Sequence, residues 1–300
     1  MANISKSLLD EVFHGAIDIH AHTGPCVFPR VNDSIDCARE AREAGMRAIV
    51  LKNHQGITSD RATLVNKVVP EIQVFGGVCM NRYSGGINPY SVEAAMIMGG
   101  KFVWFPTQWA AHHIATYGRP QYFHMKVGIQ YGVENAKGIS ILDDDGNLTH
   151  ETMEVLALAK HHNATVAGGH LNKEELFALF TAARDMGIDK LLLQHVTLSE
   201  LWDWSATEQR ELIELGVLIE HVSIYIHPGR YLVSPAKVAE MIGWVGPENV
   251  VLSSDCGQLH NPTPVQGLQI LVARLLEEGI DKEDIDIMLK KNPARLLSLE

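Results

Sequence analysis

The sequence lacks the features that mark several large classes of protein. Its four cysteines are scattered, without CxxC pairs, which excludes a cysteine zinc motif and a dense disulfide scaffold. Lys and Arg form no runs, and the formal net charge is −11. This charge disfavours binding to nucleic acid or to an acidic membrane surface. We therefore expect reduced thiols and a small-molecule partner.

Long apolar runs are also missing. No stretch approaches the length that spans a bilayer, and residues 1–12 lack the basic start and apolar stretch of a signal peptide. We therefore expect a cytoplasmic protein with no membrane contact. The oligomeric state is left open, and a homo-oligomer is one alternative.

What the chain does have is a regular alternation of strand-like and helix-like segments. Its 300 residues are 46% hydrophobic, enough for one large barrel or two ordinary domains. Strands are predicted at 16–20, 47–53, 73–79, 101–105, 164–168, 190–195, 217–221 and 249–254. Helices are predicted at 34–44, 59–69, 91–98, 149–161, 173–186, 208–215, 236–242 and 265–278.

This alternation predicts a parallel sheet. Eight units favour a (β/α)₈ TIM barrel, and a doubly wound open sheet is the structural alternative. No glycine-rich nucleotide fingerprint follows the first strand, which again favours the barrel. Because the chain has no linker or compositional break, a single domain over residues 1–300 is the simplest interpretation.

One connection is much longer than the others and lies after the fourth strand, at residues 107–147. In a barrel, this loop belongs to the active-site face. A lid over the site and a subunit interface would both use aromatic side chains. The ring-bearing residues of this insertion are Trp109, His112, His113, Tyr117, Tyr122, Phe123, His124 and Tyr131.

The first strand carries the most informative pattern, Ile-Asp-Ile-His-Ala-His at residues 17–22. Because side chains alternate along a strand, we expect Asp18, His20 and His22 on one face and the apolar residues on the other. Buried polar groups are costly unless something satisfies them. A divalent cation held by two imidazoles would do so, whereas two ordinary strand-end histidines are the plainer alternative.

The other predicted strands also end in polar residues, which a barrel would bring to one mouth. These residues are Lys52 and His54 after strand two, His170 after strand five, His195 after strand six, Glu220 and His221 at strand seven, and Asp255 after strand eight.

The ordered set of HxH, His, His and Asp resembles that of the amidohydrolase superfamily. Its members are metal-dependent TIM-barrel enzymes that mostly hydrolyse amides, lactones, cyclic ureas or phosphoesters, and some decarboxylate. Residues 291–297 also resemble the closing helix of that superfamily, with Asn292 as cap and Pro293 at the first helical position. The resemblance spans nearly the whole chain.

The resemblance implies that His20, His22, His170 and Asp255 hold a divalent cation. Imidazoles and a carboxylate suit Zn²⁺, with Mn²⁺, Fe²⁺ and Ni²⁺ as alternatives. Asp255 would move a proton from water to the leaving group. His195 would hydrogen-bond the developing oxyanion or bind a second metal.

The sequence departs from the common two-metal pattern of the superfamily. No Lys or Glu ends the fourth strand, which reads WFPTQ at residues 104–108, so we expect one metal.

Lys52 is expected to bind an anionic substrate group; carboxylation to a bridging ligand and an outward, solvated position are the alternatives. His54 and Arg30 are further substrate-binding candidates. A structural role for His54 and a surface ion pair for Arg30 remain equal alternatives.

These expectations describe a metal-dependent hydrolase of a C–N or C–O bond in a small anionic carbonyl compound of the amide, lactone or cyclic amide type. A metal-dependent decarboxylase with a similar one-metal site is the alternative. A barrel that only binds a ligand is disfavoured, because the ligand set has no gaps.

Overall fold

The computed structural model describes residues 5–120 and 137–299, in which short strands alternate with helices. The strands are β1 Ile17–His22, β2 Ala48–Lys52, β3 Gln73–Phe75, β4 Gly77–Cys79, β5 Phe102–Trp104, β6 Thr165–Ala167, β7 Leu191–Leu193, β8 Val217–Val222 and β9 Val250–Ser253. The helices are α1 Lys6–Phe13, α2 Ser34–Glu43, α3 Ser59–Val68, α4 Pro89–Ile97, α5 Ala111–Tyr117, α6 His150–His161, α7 Lys173–Asp185, α8 Ala206–Glu214, α9 Pro235–Val245, α10 Pro264–Glu277, α11 Lys282–Asp286 and α12 Asn292–Leu297. Each predicted helix coincides with one of these helices, and each predicted strand coincides with one of these strands except the third, which covers both β3 and β4.

The strands form two parallel sheets in chain order, β1–β2–β3 and β4 to β9. The predicted third strand is divided at Gly76, and Thr58, in the loop between β2 and α3, supplies the reason. Its N–H donates to the Gly77 carbonyl (2.9 Å), and its hydroxyl accepts the Gly77 N–H (3.0 Å). A side chain on Gly76 would come within 2.4 Å of the Thr58 backbone. The loop thus makes hydrogen bonds that would otherwise belong to a neighbouring strand.

The two sheets enclose one interior. The residues just after β9 are hydrogen-bonded to β1: the Asp255 N–H donates to the His20 carbonyl (2.9 Å), and the Cys256 carbonyl accepts the His22 N–H (3.0 Å). A single apolar cluster fills the space within and is closed at one end by α12; it includes Ile17, Val50, Trp104, Ala167, Leu192, Leu218, Val251, Ala294, Leu296 and Leu297. This is the (β/α)₈ architecture that the alternation predicts.

Helices cover the outer surface of the strands through two further apolar clusters. Local sequence fixes where several of them begin. In α7, the Asn172 side chain accepts the Glu175 N–H while Glu175 reaches back to the Asn172 N–H, a capping box. Within the described residues, no helix is both long and apolar enough to cross a membrane.

The C-terminal helix departs from the sequence expectation. Asn292 is not a cap, because a π-helical turn at Ile287–Lys291 joins α11 to α12 without a break. The Asn292 side chain instead donates to the carbonyls of Pro247 (3.0 Å) and Val250 (2.6 Å). It therefore ties α12 to the start of β9. The wider π turn accommodates Pro293, which has no N–H to donate.

The predicted insertion lies between β5 and α6 and contributes the unpredicted helix α5. Its two described limbs are joined by backbone hydrogen bonds, from Ala111 N–H to the Ile139 carbonyl (2.8 Å) and from Ile139 N–H to the Trp109 carbonyl (2.7 Å). The remaining ring-bearing residues of the predicted insertion lie outside the described residues; they are Tyr122, Phe123, His124 and Tyr131.

Candidate metal centre

A bulge in β1 places two histidines at the barrel mouth. The register of β1 against β2 shifts between Asp18 and Ala21. Ile19 therefore packs inside the barrel, yet His20 and His22 also reach the mouth above it. The expectation that strict alternation puts Asp18 with the two histidines and the isoleucines opposite them is wrong, because the bulge interrupts the two-residue period.

Asp18 stabilises this bulge from the other side of the strand. It pairs with Ile49 of β2, whose side chain belongs to the outer apolar cluster. The Asp18 Oδ1 accepts the N–H groups of His20 (3.0 Å) and Ser254 (3.1 Å). Burial raises the pKa of the Asp18 carboxyl above its ordinary value. The residue is therefore a structural support for the site.

Both histidines of β1 have their Nδ1 atoms bound to acceptors. His20 Nδ1 donates to Glu220 Oε1 (3.0 Å), and His22 Nδ1 donates to the Lys52 carbonyl oxygen (3.0 Å). A neutral imidazole that donates from Nδ1 keeps its lone pair on Nε2. Both rings thus present an unprotonated Nε2 to the barrel mouth.

The two Nε2 atoms converge on Asp255. Its Oδ1 lies 3.2 Å from His20 Nε2 and 3.0 Å from His22 Nε2, and all three side chains are buried. Tetrahedral ligands at 2.0–2.1 Å from Zn²⁺ lie about 3.3 Å from each other. The spacing and the donor chemistry of these three groups therefore fit a divalent cation.

Glu220 is a site residue that the sequence analysis left without a role. It is fully buried in β8, and its Oε1 also accepts the Ser253 hydroxyl (2.6 Å). A carboxylate that binds the far nitrogen of a metal-ligating histidine fixes both its ring and its tautomer. The signal was present in the sequence, because Glu220 lies two residues after Leu218, which faces the barrel interior.

His195 and Asp255 occupy unusual backbone positions after their strands. Their φ angles are 56° and 49°, in the left-handed region that non-glycine residues rarely adopt. His195 Nδ1 lies 3.6 Å from Asp255 Oδ2, and its ring is 4.9 Å from that of His20. His20, His195 and Glu220 form a second group whose ligand atoms are mutually close. Because Glu220 already accepts the hydrogen bond from His20 Nδ1, its position suits a residue that orients His20 better than it suits a metal ligand.

His170 lies beside His195, with 5.2 Å between the ring centroids. Its Nδ1 is 2.9 Å from His113 Nδ1, on the inserted helix α5. Within the described residues, His170 is outside both mutually close groups of candidate ligands. Its role as a ligand stays a prediction.

Lys52 lies inside the site, so the outward, solvated alternative is wrong. It is 1% exposed, and its Nζ is 3.0 Å from His20 Nε2 and 5.6 Å from the centre of the Trp104 ring. Burial lowers the pKa of Lys52, while the charges of Asp255 and Glu220 act against that shift. Both an anion grip and carboxylation remain compatible with this position.

The two other predicted substrate-binding residues also border the centre. The His54 ring stacks on His22 at 4.8 Å, and its Nδ1 is hydrogen-bonded to Thr107 Oγ1 (2.9 Å). Arg30 Nη2 is 3.4 Å from His22 Nδ1, which already donates elsewhere. The buried Nε and Nη1 atoms of Arg30 have no hydrogen-bond partner among the described residues.

One strand-end histidine, His221, lies away from the centre. It pairs with Leu252, whose side chain belongs to the outer apolar cluster, so its ring faces the helices. His221 is therefore a core histidine.

Burial dominates the electrostatics of the histidine cluster. It lowers the pKa of four imidazoles well below the ordinary value, and neighbouring positive groups add to this for His22 and His54. The other two are His170 and His195. These rings are therefore neutral at pH 7, which is the form that binds metals.

The sequence matches one family model over residues 15–220, described as a family of unknown function (DUF6282). The chain belongs to the DUF6282 family. No curated protein matches this family member in sequence.

Solved structures similar to this DUF6282 member extend over nearly all of it. An amidohydrolase from Pseudomonas aeruginosa is 12% identical with a TM-score of 0.64, covering 98% of both chains. The probable dipeptidase PvdM from the same organism is 11% identical with a TM-score of 0.66, covering 97% of both chains. An organophosphorus hydrolase from Deinococcus radiodurans is 13% identical with a TM-score of 0.59, covering 94% of this chain and 92% of that one. This DUF6282 member thus shares the fold of these hydrolase structures, which is the fold that the sequence resemblance implies.

Proposed function

We propose that the chain is a metal-dependent hydrolase of a C–N or C–O bond in a small anionic substrate of the amide, lactone or cyclic amide type. One observation carries the proposal: the buried Nε2 atoms of His20 and His22 both lie 3.0–3.2 Å from Asp255 Oδ1. The donor set suits Zn²⁺, with Mn²⁺, Fe²⁺ and Ni²⁺ as alternatives. We propose a cytoplasmic enzyme whose partner is this substrate rather than nucleic acid or a membrane.

A divalent cation bound here supplies a more acidic water molecule and polarises a carbonyl group. The two oxygens of Asp255 have different surroundings: Oδ1 faces the two imidazoles, and Oδ2 lies towards His195. We assign to Asp255 the transfer of a proton from water to the leaving nitrogen or oxygen. His195 would hydrogen-bond to the charge that develops on the carbonyl oxygen.

Two positive side chains support an anionic substrate. Arg30 lies at the rim with buried guanidinium nitrogens that lack partners in the described residues, and no described carboxylate pairs with it. The Lys52 ammonium group lies at the metal centre, 3.0 Å from His20 Nε2. A carboxylate or phosphate placed between them would satisfy the Arg30 donors. His54 completes this side of the mouth by its stacking on His22.

The metal centre can be tested by its stoichiometry. Purified protein should hold about one equivalent of a first-row divalent metal per chain, measured by inductively coupled plasma mass spectrometry. The double variant His20→Ala/His22→Ala should lose the metal because both imidazole ligands are gone. Asp255→Asn is the matched comparison: it should keep the fold and much of the metal, but lose most of the activity.

Two outcomes would contradict this assignment. Unchanged metal content in the double variant would remove the histidine pair as ligands. Near-normal turnover by Asp255→Asn would remove its role in proton transfer. Release of carbon dioxide without hydrolysis would assign the alternative decarboxylase activity to the same site.

Charge selectivity can be tested with carboxylate-bearing amides and lactones, each paired with an analogue in which hydrogen replaces the carboxylate. Arg30→Gln should reduce kcat/KM for the charged members by about 10- to 100-fold, because a hydrogen bond to a charged group contributes about 1.5–3 kcal/mol. The uncharged analogues should be unaffected. Arg39→Gln, at an exposed ion pair on α2, is the control. An equal loss for both substrate sets would argue against Arg30 as the anion site.

A further inference from the structure

His113 lies where the inserted helix α5 meets the metal centre. The residue is fully buried, and its Nδ1 is 2.9 Å from His170 Nδ1. The two rings are stacked, with an interplanar angle of 23° and centroids 5.0 Å apart. A direct bond between two buried imidazoles requires that one Nδ1 carries the hydrogen and the other accepts it.

The direction of this bond decides what His170 can do. If His113 donated, the neutral His170 ring would carry its hydrogen on Nε2, and that atom would have no lone pair for a cation. If His170 donates from Nδ1, its Nε2 keeps the lone pair that a metal ligand needs. The second arrangement matches that of His20 and His22, whose Nδ1 atoms also donate.

We propose that His113 is a positioning residue of the metal centre: it accepts the His170 Nδ1–H and thereby holds His170 in the tautomer that ligates through Nε2. This inference rests on the proposed function, in which His170 is a ligand. It assigns to the insertion a direct part in assembling the metal centre, in addition to any role as a lid.

The contacts of α5 show why His113 can hold a defined position. The next residue back, His112, is hydrogen-bonded through Nε2 to the Leu201 carbonyl (2.9 Å). The limb that follows α5 is docked on α7, because Glu175 Oε1 accepts the Ser140 hydroxyl (2.7 Å) and the Ile141 N–H (3.0 Å). A side chain on Gly138 would come within 2.2 Å of Ala111 Cα. Only glycine therefore permits the close contact between the start of α5 and the segment at residues 137–139.

The first experiment compares metal binding by four variants, using the affinity for Co²⁺ and its visible absorption spectrum. His113→Phe keeps the ring volume but loses the acceptor, and should weaken binding about 10- to 100-fold and change the spectrum. His113→Asn offers an oxygen near the Nδ1 position and should restore most of the affinity. His112→Phe removes a docking contact of α5 but leaves the His113 acceptor in place, and should weaken binding much less than His113→Phe does. His170→Ala should weaken binding at least as much as His113→Phe.

The outcomes separate this inference from the proposed function. If His170→Ala weakens binding but His113→Phe does not, the positioning role is wrong and the metal centre stands. If His112→Phe weakens binding as much as His113→Phe, docking of the insertion explains the effect, and the positioning role is also wrong. Wild-type protein that binds no Co²⁺ would overturn both.

A second measurement does not depend on whether the variants fold. Long-range ¹H–¹⁵N correlation spectra of the metal-free wild type report which nitrogen of each imidazole carries the hydrogen. The expected result is a His170 ring protonated at Nδ1 and a His113 ring protonated at Nε2. A His170 ring protonated at Nε2 would overturn the inference.

Discussion

At the scale of single residues, the centre is built from ligands whose second nitrogen is also fixed. Glu220 and the Lys52 carbonyl oxygen bind the Nδ1 atoms of the two β1 histidines. Without these acceptors, either ring could turn or change tautomer, and its Nε2 would no longer point at Asp255. The buried carboxylate therefore stabilises the arrangement even though it does not itself have to touch a metal.

Glu220→Gln tests this role with a change of one atom. The amide oxygen can still accept the hydrogen bond from His20, but without the negative charge that strengthens it and raises the basicity of Nε2. We expect metal affinity to fall about 10- to 100-fold, measured by competition with a chelator of known affinity. Glu151→Gln, on the exposed side of α6, is the control. Equal affinities in the two variants would show that Glu220 does not orient His20.

The sequence reveals the ligands more readily than their supports. His20, His22 and Asp255 could be predicted because they lie at or just after the ends of strands, and a parallel barrel brings strand ends together. Glu220 also lies near the end of a strand, and an acidic residue within an otherwise apolar strand can be recognised in the sequence as a candidate site residue. The His113–His170 contact could not be predicted, because it depends on how a long insertion folds back, and no periodicity encodes that.

At the scale of elements, β1 shows where a pattern of period two fails. Alternation predicts opposite faces for the isoleucines and histidines, but the bulge lets Ile19 fill the barrel while His20 points into the mouth. A bulge costs regular ladder hydrogen bonds, so other groups must satisfy the displaced N–H groups. The Asp18 carboxylate accepts two such N–H groups, that of His20 in β1 and that of Ser254 just after β9.

Replacing Asp18 should therefore affect both stability and the site. Asp18→Ala leaves the buried N–H groups of His20 and Ser254 without their acceptor, and should lower the free energy of unfolding by about 1–3 kcal/mol. Asp18→Asn keeps an acceptor oxygen and should lose much less. Urea unfolding of the chelator-treated proteins measures both values, and metal titration should rank the variants in the same order. Equal stability of Asp18→Ala and wild type would show that the bulge does not need this carboxylate.

At the scale of the whole molecule, the barrel separates an apolar lower interior from a polar mouth. The lower part is filled by side chains from both sheets and closed by α12. The mouth holds buried polar side chains of opposite or neutral charge, among them Lys52, His54, His195, Glu220 and Asp255. The predicted strand order accounts for this division, since the carboxyl ends of parallel strands lie on one side. The interrupted ladder at Gly76 could not be predicted, because it arises from a loop two elements away.

The number of buried neutral histidines makes the stability of the whole chain depend on pH, and His221 shows this effect away from the metal centre. Neither ring nitrogen of His221 has a hydrogen-bond partner among the described residues. Burial lowers its pKa to about 4 from an ordinary value of 6.5. Between these two values the unfolded chain binds a proton that the folded chain does not, so stability falls as the pH drops from about 6.5 to about 4.

His221→Leu removes this proton uptake and keeps an apolar side chain of similar size between β8 and its helices. The variant should be at least as stable as wild type at pH 7, and its advantage should grow by up to about 3 kcal/mol towards pH 4. Urea unfolding of chelator-treated protein at pH 7, 6, 5 and 4 measures the difference. His150→Leu, whose side chain is 82% exposed, should follow the wild-type curve. Parallel curves for His221→Leu and wild type would mean that His221 takes up its proton in the folded state, and that β8 and its helices open to water at this position.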